Sequence, residues 1–243
     1  MIRVGRCVYE NNQRIDPSYP GFTPILVLTK SSPYASLSPY CLKDEQGRIM
    51  ENRFQFSKIY ETVPATTCRY SRWDDRIIWQ WPAERHVIYQ NNIMQIQPEY
   101  LKWRQAGMNA TEAIRYPVGF NHRHQCLFSL KETNGVIDPT PLNYIESRKQ
   151  IYYPIYRDLV QKERQFLELK QRLQKGENLL IIEVDGPHSE ALNYYQQKYK
   201  VGNDFIENNT VLATPENLEI MLNDPKYPYG HGYCLANVLL FDS

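Results

Sequence analysis

Apolar residues along the chain occur either in short continuous runs or at the spacing of an α-helix. Two runs bounded by breaking residues predict buried strands at 24–29 and 179–184, and a weaker pattern predicts a third at 93–96. Helical periodicity is more frequent and predicts helices at 50–62, 98–107, 110–116, 144–160, 163–174, 189–199, 215–222 and 232–241. Because helices outnumber strands and do not alternate regularly with them, we predict an α+β fold, mostly helical with a small sheet.

Two helix boundaries carry local signals. Thr214 before Pro215 is typical of an N-cap followed by the first helical position, and Lys175-Gly176 is typical of a helix end. The stretch from Asp75 to Gln97 predicts a hairpin with an irregular arm. No repeat, low-complexity tract or Ser/Gly-rich linker divides the 243 residues, so we predict one domain spanning 1–243.

Composition argues against several functional classes. The net charge is only +1, so a nucleic acid or nucleotide must be bound by a local site. The 11 glycines form no GxGxxG or P-loop motif and the five cysteines form no CxxC pair, which argues against a dinucleotide turn and a structural zinc site. Scattered cysteines, short apolar runs and an N-terminus without a signal-peptide pattern predict a cytoplasmic protein with no membrane span.

A polar stripe near position 50 is the first candidate for chemistry. The helix predicted there has an apolar face made by Ile49, Phe56, Ile59, Tyr60 and Val63. Glu51, Gln55 and Lys58 lie away from that face, with Phe54 among them. This stripe is either a solvated helix face or one wall of a pocket, because an aromatic ring between a carboxylate and an amine suits a ring-bearing ligand.

A second candidate lies near the C-terminus, in the segment 223–233. Gly230-His231-Gly232 immediately precedes a predicted helix, where backbone N–H groups can bind an anion such as phosphate. A tight turn before a core helix is the alternative interpretation.

Other polar and aromatic residues are weaker candidates. His122 and His124 resemble a metal-binding pair or belong to an exposed loop, and Glu183 beside Asp185 either reaches a cleft or caps the sheet. Arg148 opens a long helix, where a cation opposes the helix dipole unless an anion is near. A basic segment contains Arg69, Arg72, Trp73 and Arg76 and reads as a surface patch, and the nearby Trp79 and Trp81 either stack on bases or pack in the interior.

The segment Met50–Lys58 resembles the Ser-Glu-His-x-Phe-Gln-x-x-Lys signature of the NADAR (YbiA-like) superfamily, with Glu51, Phe54, Gln55 and Lys58 in register. Weaker similarities occur on both sides of this segment and in the family's order. They are at Ser32–Tyr34, Ser38–Tyr40, Asp44–Gly47, Ala113, Arg115, Gly119, Arg148, Leu179–Glu183, Asp224, Tyr229-Gly230, Gly232 and Leu235–Leu240. The chain departs from the pattern at Asn52, where the family has His, and at Tyr229, where it has Trp. Extra sequence occurs near 66–97 and 187–213.

The resemblance implies a YbiA-like fold and an N-glycosidase that cleaves a ribosyl C1–nitrogen bond. Members of the family are associated with nucleotide-like intermediates of riboflavin synthesis and with removal of ADP-ribose from guanine bases. The implied substrate is therefore an ADP-ribosylated base, DNA or nucleotide, and the implied reaction needs no cofactor and no metal.

The resemblance also suggests roles for residues. Glu51, Lys58 and Asp224 are the candidate catalytic residues, with Glu51 as the carboxylate that stabilises an oxocarbenium-like centre or activates water. Lys58 either donates a hydrogen bond to the ribose or attacks C1 as a Schiff-base nucleophile. The candidate ligand-binding residues are Ser32, Asn52, Phe54, Gln55, Arg115, Arg148, Glu183, Tyr229, Gly230, His231 and Gly232.

Two other functions remain open from the sequence. One is a non-catalytic module that binds ADP-ribose or a nucleotide through the same pocket. The other is a nucleic-acid-interaction protein built around the segment Arg69–Trp81.

Overall fold

The computed structural model describes residues 1–28, 32–71 and 74–241. The chain forms two compact units: the sheet unit, residues 1–42 with 153–243, and the hairpin unit, residues 43–152. The assignment of all 243 residues to one domain stays a prediction. No helix in the described part of the chain has both the length and the apolar character needed to cross a bilayer.

The strands are mostly short. In chain order they are β1 Ile2–Arg6, β2 Val8–Glu10, β3 Gln13–Ile15, β4 Thr23–Leu26, β5 Lys58–Ile59, β6 Thr62–Val63, β7 Thr66–Ser71, β8 Asp74–Trp81, β9 Glu84–Arg85, β10 Val87–Gln90, β11 Ile93–Ile96, β12 Phe128–Ser129, β13 Glu132–Thr133, β14 Val136–Ile137, β15 Leu179–Glu183 and β16 Thr210–Leu212.

The α-helices carry more residues than the strands. They are α1 Met50–Gln55, α2 Pro98–Met108, α3 Tyr144–Ser147, α4 Tyr153–Val160, α5 Arg164–Gln174, α6 Leu192–Tyr199, α7 Pro215–Asn223 and α8 His231–Phe241. A π-helical segment, Arg148–Tyr152, follows α3, and short 3-10 helices lie at Ala35–Leu37, Phe120–Gln125 and Ser189–Ala191. The α+β class is confirmed, but strands outnumber helices in the described residues, so that part of the expectation was wrong.

The sheet unit is built on four strands in the order β16-β1-β15-β4. β15 pairs in parallel with β1 and with β4, and β16 is antiparallel to β1 at one edge. Every residue of β15 is buried. A strand covered on both faces reads as a continuous apolar run, which is why the sequence predicted it. Residue 29 of the other predicted strand lies outside the described residues.

The two helix boundaries marked in the sequence are confirmed in the sheet unit. The Thr214 side chain accepts a hydrogen bond from the Asn217 N–H and Pro215 occupies the first turn of α7. After α5, Gly176 adopts φ +86°, a left-handed conformation that glycine adopts without steric cost.

The hairpin unit has an aromatic core formed by Phe56, Tyr60, Tyr100 and Trp103 with surrounding aliphatic residues. The hairpin expected within 75–97 is present as β10–β11. β8 lies mostly in the same stretch but pairs with β7, which begins at Thr66, to form a separate hairpin. Asn91 and Asn92 both have positive φ between β10 and β11, as a two-residue turn of type I′ requires.

One predicted helix in the hairpin unit begins as expected but ends early, and another is absent. The helix expected at 50–62 ends at Gln55, because Phe56 leaves helical geometry and Lys58–Ile59 pair with β12. The apolar set chosen for its face is nevertheless buried, since hydrophobic residues bury in either conformation.

The helix expected at 110–116 is absent because the Asn52 side chain supplies the backbone with other partners. Asn52 Nδ2 donates to the carbonyls of Ala110 and Glu112 at 3.2 and 2.9 Å, and its Oδ1 accepts from the Ile114 N–H at 2.8 Å. A buried amide thus holds this segment in an irregular conformation.

The packing of α2 gives a first prediction. A Cβ added at Gly107 would overlap the Phe56 ring, which is fully buried and packed between Trp79 and Trp103. We expect Gly107→Ala to lower the free energy of unfolding by about 2 kcal/mol, despite its better helix propensity, as other overpacked cores do. Denaturant unfolding measures this change in the free energy of unfolding. The control is Gln105→Ala, at an exposed position of the same helix, which should change stability by less than about 0.5 kcal/mol. An equal effect of both variants would contradict the packing described.

The buried His86 gives a second prediction. His86 is fully buried among Tyr60, Tyr100 and Trp103, and burial lowers the pKa of its ring from 6.5 to about 4. Between these values the unfolded chain binds a proton that the folded chain does not, so stability falls as the pH falls. The loss is about 1.4 kcal/mol per pH unit across that window.

Urea unfolding between pH 4 and 7 measures the contribution of His86. We expect His86→Gln to flatten the pH dependence, whereas His124→Gln, at an exposed position of the same unit, should leave it as in the wild type. If His86→Gln folds poorly, the titration of the His86 ring by NMR in the wild type decides the same point. A ring that titrates near 6.5 would overturn the prediction.

Candidate functional site

The predicted site residues fall into two groups. The hairpin unit contains Glu51, Asn52, Phe54, Gln55, Lys58, Arg115 and Arg148; the sheet unit contains Ser32, Glu183, Asp224, Tyr229, Gly230, His231 and Gly232.

A chain of hydrogen bonds joins the polar residues of α1 to Lys58. Gln55 Nε2 donates to Glu51 Oε1 at 2.9 Å, one helical turn away, and Lys58 Nζ donates to Gln55 Oε1 at 2.9 Å. Glu51 is only 6% exposed and Gln55 9% exposed, whereas Lys58 is partly exposed. The amide of Gln55 therefore orients the ammonium group and connects it to a largely buried carboxylate.

The surroundings of Lys58 lower the pKa of its amine. Burial lowers the pKa of Lys58, and the positive charge of Arg115 acts in the same direction, whereas Cys126 and Glu51 oppose the shift. A lysine with a lowered pKa provides more of the uncharged amine, which is the nucleophilic form. Lys58 thus has one property that a Schiff-base lysine needs.

Phe54 is the aromatic wall of this group. Lys58 Nζ lies 4.8 Å from the centroid of its ring, within the range of a cation–π contact. The ring also meets Tyr152 edge to face, with centroids 4.9 Å apart. The two rings and the amine are therefore adjacent, and a ligand pocket at this point stays a prediction.

The remaining predicted residues of the hairpin unit divide by role. Asn52 is fully buried and ties α1 to the segment 110–114, so it supports the site rather than facing a ligand. Arg115 is partly exposed and close enough to influence Lys58. Arg148 begins the π-helical segment that ends at Tyr152, and its guanidinium lies 4.5 Å from the centroid of the Tyr144 ring.

Sequence reasoning missed two neighbours of this group. Tyr152 contacts Phe54. Cys126 lies two residues before β12, which pairs with Lys58–Ile59, and it interacts electrostatically with Lys58. Burial raises the pKa of the Cys126 thiol, and Lys58 opposes that shift. No local motif marks either residue, since both reach the site through contacts that are distant in sequence.

Asp224 is placed as a structural carboxylate. It is fully buried and accepts hydrogen bonds from the hydroxyls of Tyr194, Tyr195 and Tyr199 at 2.5, 2.7 and 3.3 Å, and from the backbone N–H groups of residues 226 and 227. Burial acts to raise the pKa of Asp224, but these donors outweigh it and lower that pKa. This geometry corrects its assignment as a catalytic residue, because the carboxylate holds together the start of the 224–227 turn and the tyrosines of α6.

The turn at Gly230–Gly232 is filled by the protein itself. Gly232 N–H donates to Glu183 Oε1 at 3.0 Å, and a Cβ on Gly230 would overlap the Glu183 carboxyl. Tyr229 is 4% exposed, and its hydroxyl donates to the Tyr233 carbonyl at 3.3 Å. The phosphate seat and the stacking role expected here are thus corrected: the start of α8 already binds a carboxyl group, and Tyr229 is a core residue.

Glu183 is a second fully buried acid of the sheet unit. Burial raises its pKa well above 4.5 and the neighbouring Asp185 adds to the effect, although the N–H groups of Gly232 and Tyr233 oppose it. His231 Nδ1 lies 3.4 Å from Glu183 Oε2, and His231 Nε2 lies 2.5 Å from the Val27 carbonyl oxygen. The fully buried Glu183 side chain therefore joins β15 to the start of α8 and does not reach a cleft.

The weaker candidates are placed as follows. The Ser32 hydroxyl oxygen is buried and has no hydrogen-bond partner among the described residues. His122 and His124 lie on a 3-10 helix, and no group of three or more metal-ligating side chains forms in the described parts of the chain. Arg72, Trp73 and the side chain of Arg76 lie outside the described residues, and Arg69 is exposed. Trp79 packs against Phe56 in the core, as the packing interpretation predicted.

Comparisons of the chain with protein-family models, with curated proteins and with solved structures each found no match.

The raised pKa of Glu183 gives a third prediction. Above pH 4.5 the unfolded chain loses a proton that folded Glu183 retains, so this group destabilises the fold by about 1.4 kcal/mol per pH unit until its raised pKa is reached. Glu183→Gln replaces the carboxyl group with an amide of similar shape that does not titrate. The variant should therefore gain stability relative to the wild type as the pH rises from 5 to 8. Thermal unfolding across this range measures the difference, with the exposed Glu190→Gln as the control. A constant difference at all pH values would show that Glu183 is ionised in the fold.

Proposed function

We propose that this protein is an N-glycosidase that hydrolyses a ribosyl C1–nitrogen bond, either in an ADP-ribosylated guanine base or in a related ribosyl-phosphate nucleotide. The observation that carries the proposal is the Glu51–Gln55–Lys58 chain beside Phe54, with the pKa of Lys58 lowered. These are the four residues in register with the signature that the sequence resembles. A YbiA-like fold and a cytoplasmic location belong to the same proposal.

One mechanism uses Lys58 as the nucleophile. The uncharged amine forms a bond to C1 as the C1–nitrogen bond breaks, and the base leaves with that electron pair and takes a proton from the lysine nitrogen. Opening of the ribose ring at its oxygen converts the adduct into a Schiff base. Water then adds to C1, the bond between C1 and Nζ breaks, and the amine and the ribosyl product are released.

The other mechanism uses Lys58 as a hydrogen-bond donor to the ribose. In that case Glu51 either stabilises the positive charge that develops at C1 or removes a proton from the attacking water. Gln55 has the same function in both mechanisms, since its amide keeps the carboxylate and the lysine in register. Borohydride distinguishes them, because it reduces a Schiff base to a stable adduct.

The rest of the hairpin-unit group supplies binding. Phe54 and Tyr152 offer ring surfaces for the base or the ribose. Arg115 and Arg148 carry the positive charge that phosphate groups of the substrate need. The proposed reaction uses no cofactor and no metal.

Two substitutions test the proposal. We expect Glu51→Gln and Lys58→Ala each to reduce the release of ADP-ribose from a guanine-modified oligonucleotide by at least about 100-fold, the usual range for a lost acid–base or nucleophilic group. Lys102→Ala, on an exposed lysine of α2, is the matched control and should retain full activity. Circular dichroism confirms that each variant is folded.

The outcomes separate the candidate functions. Full turnover in both site variants would refute the mechanism. Binding of ADP-ribose with no turnover by the wild type would indicate the non-catalytic module, and salt-sensitive binding of unmodified DNA alone would indicate the nucleic-acid-interaction protein. Borohydride trapping in the wild type but not in Lys58→Ala would assign the nucleophile.

A further inference from the structure

An open cleft lies at the base of the β7–β8 hairpin, among residues outside the site described above. Its volume is about 410 Å³, and Ala65, Thr66, Thr67, Gln80, Trp81 and Pro82 line it. A volume of this size is within the range of small-molecule sites. All of the lining residues of the cleft except Ala65 lie in the segment 66–97, which is extra sequence relative to the family that the chain resembles.

The Trp81 ring is held in one orientation at this cleft. Its indole Nε1 donates to Glu84 Oε2 at 3.0 Å, and its ring stacks on Trp79 with centroids 5.3 Å apart and planes 3° apart. Trp79 in turn meets the buried Phe56 ring at 5.0 Å. Because Trp79 covers one face of the indole, the partly exposed remainder of Trp81 forms an aromatic platform already fixed against the core.

None of the other lining residues carries a formal charge, and three of them are polar: Thr66, Thr67 and Gln80. The hydroxyls of Thr66 and Thr67 and the amide of Gln80 provide both hydrogen-bond donors and acceptors. A nucleobase is a flat ring with hydrogen-bond donors and acceptors along its edge, so it matches an indole ring flanked by these polar side chains. Arg69 on β7 and Arg85 on β9 are exposed cations near the cleft residues in sequence, and their positive charge suits the phosphates of a nucleic-acid strand.

We propose that this cleft binds one nucleobase of a single-stranded nucleic acid, stacked on Trp81. The inference deepens the proposed function and rests on it for the identity of the substrate strand: the cleft holds a base other than the modified one, so that a strand binds more tightly than a free nucleotide. Stacking of a base on an aromatic side chain contributes enough to make this measurable and is tolerant of sequence.

Binding of an unmodified fluorescent oligothymidine strand tests the cleft without any need for catalysis. We expect Trp81→Leu to weaken binding, measured by anisotropy, by at least about tenfold, whereas Trp81→Phe retains most of the affinity because a ring remains. Gln80→Ala should weaken binding less than Trp81→Leu. Ile78→Ala, an exposed position on the same strand outside the cleft, should bind as the wild type does.

The result separates this inference from the proposed function. Normal binding by Lys58→Ala together with weak binding by Trp81→Leu supports the cleft, whatever the glycosidase assay shows. Equal binding by Trp81→Leu and the wild type, or no binding by the wild type, overturns it even if the enzyme is active on a free nucleotide. Trp81-dependent binding of maltotriose in place of the oligonucleotide also overturns it, because the cleft would then be a sugar site.

Discussion

The early end of helix α1 is the constraint on which the candidate site depends. Phe56 leaves the helix with its N–H bonded to the Asn52 carbonyl, and the Ser57 hydroxyl donates to the Phe54 carbonyl at 2.7 Å. The fully buried Phe56 ring and Asn52 amide hold this turn against the core of the hairpin unit. The turn brings Lys58 onto β5 with its Nζ back at Gln55, so the core determines where the amine lies.

The two units treat buried polar groups differently. In the sheet unit, Glu183 and Asp224 are fully buried and accept hydrogen bonds from backbone N–H groups or tyrosine hydroxyls. These hydrogen bonds join secondary-structure elements. In the hairpin unit, Lys58 is buried enough for its pKa to fall yet keeps part of its side chain exposed. A group that is perturbed and accessible at once is suited to chemistry, which is why we base the proposed function on Lys58.

Structure that depends on neighbouring residues could be predicted from the sequence, whereas structure that depends on contacts distant in sequence could not. Local signals succeeded at Thr214-Pro215 and Gly176, and the continuous apolar run of β15 was recognised. Asn91-Asn92 is also a local turn signal, and it would have located the turn of the β10–β11 hairpin. Contacts between residues distant in sequence could not be predicted from local patterns. Examples are the hydrogen bonds of Asn52 that prevent a helix at 110–116 and the contact of Tyr152 with Phe54. The hydrogen bond from the N-terminus of α8 to Glu183 is a third.

The pKa of Lys58 is the most direct measure of the central claim that the fold prepares this amine for reaction. NMR titration of its side-chain methylene next to Nζ, in protein labelled at lysine and assigned by comparison with Lys58→Arg, reports that value. The account predicts a pKa below the ordinary 10.5, because burial disfavours the ammonium form. It also predicts a change in that pKa when Gln55→Ala removes the hydrogen bond. A Lys58 that titrates at or above 10.5 in the folded protein would contradict the account.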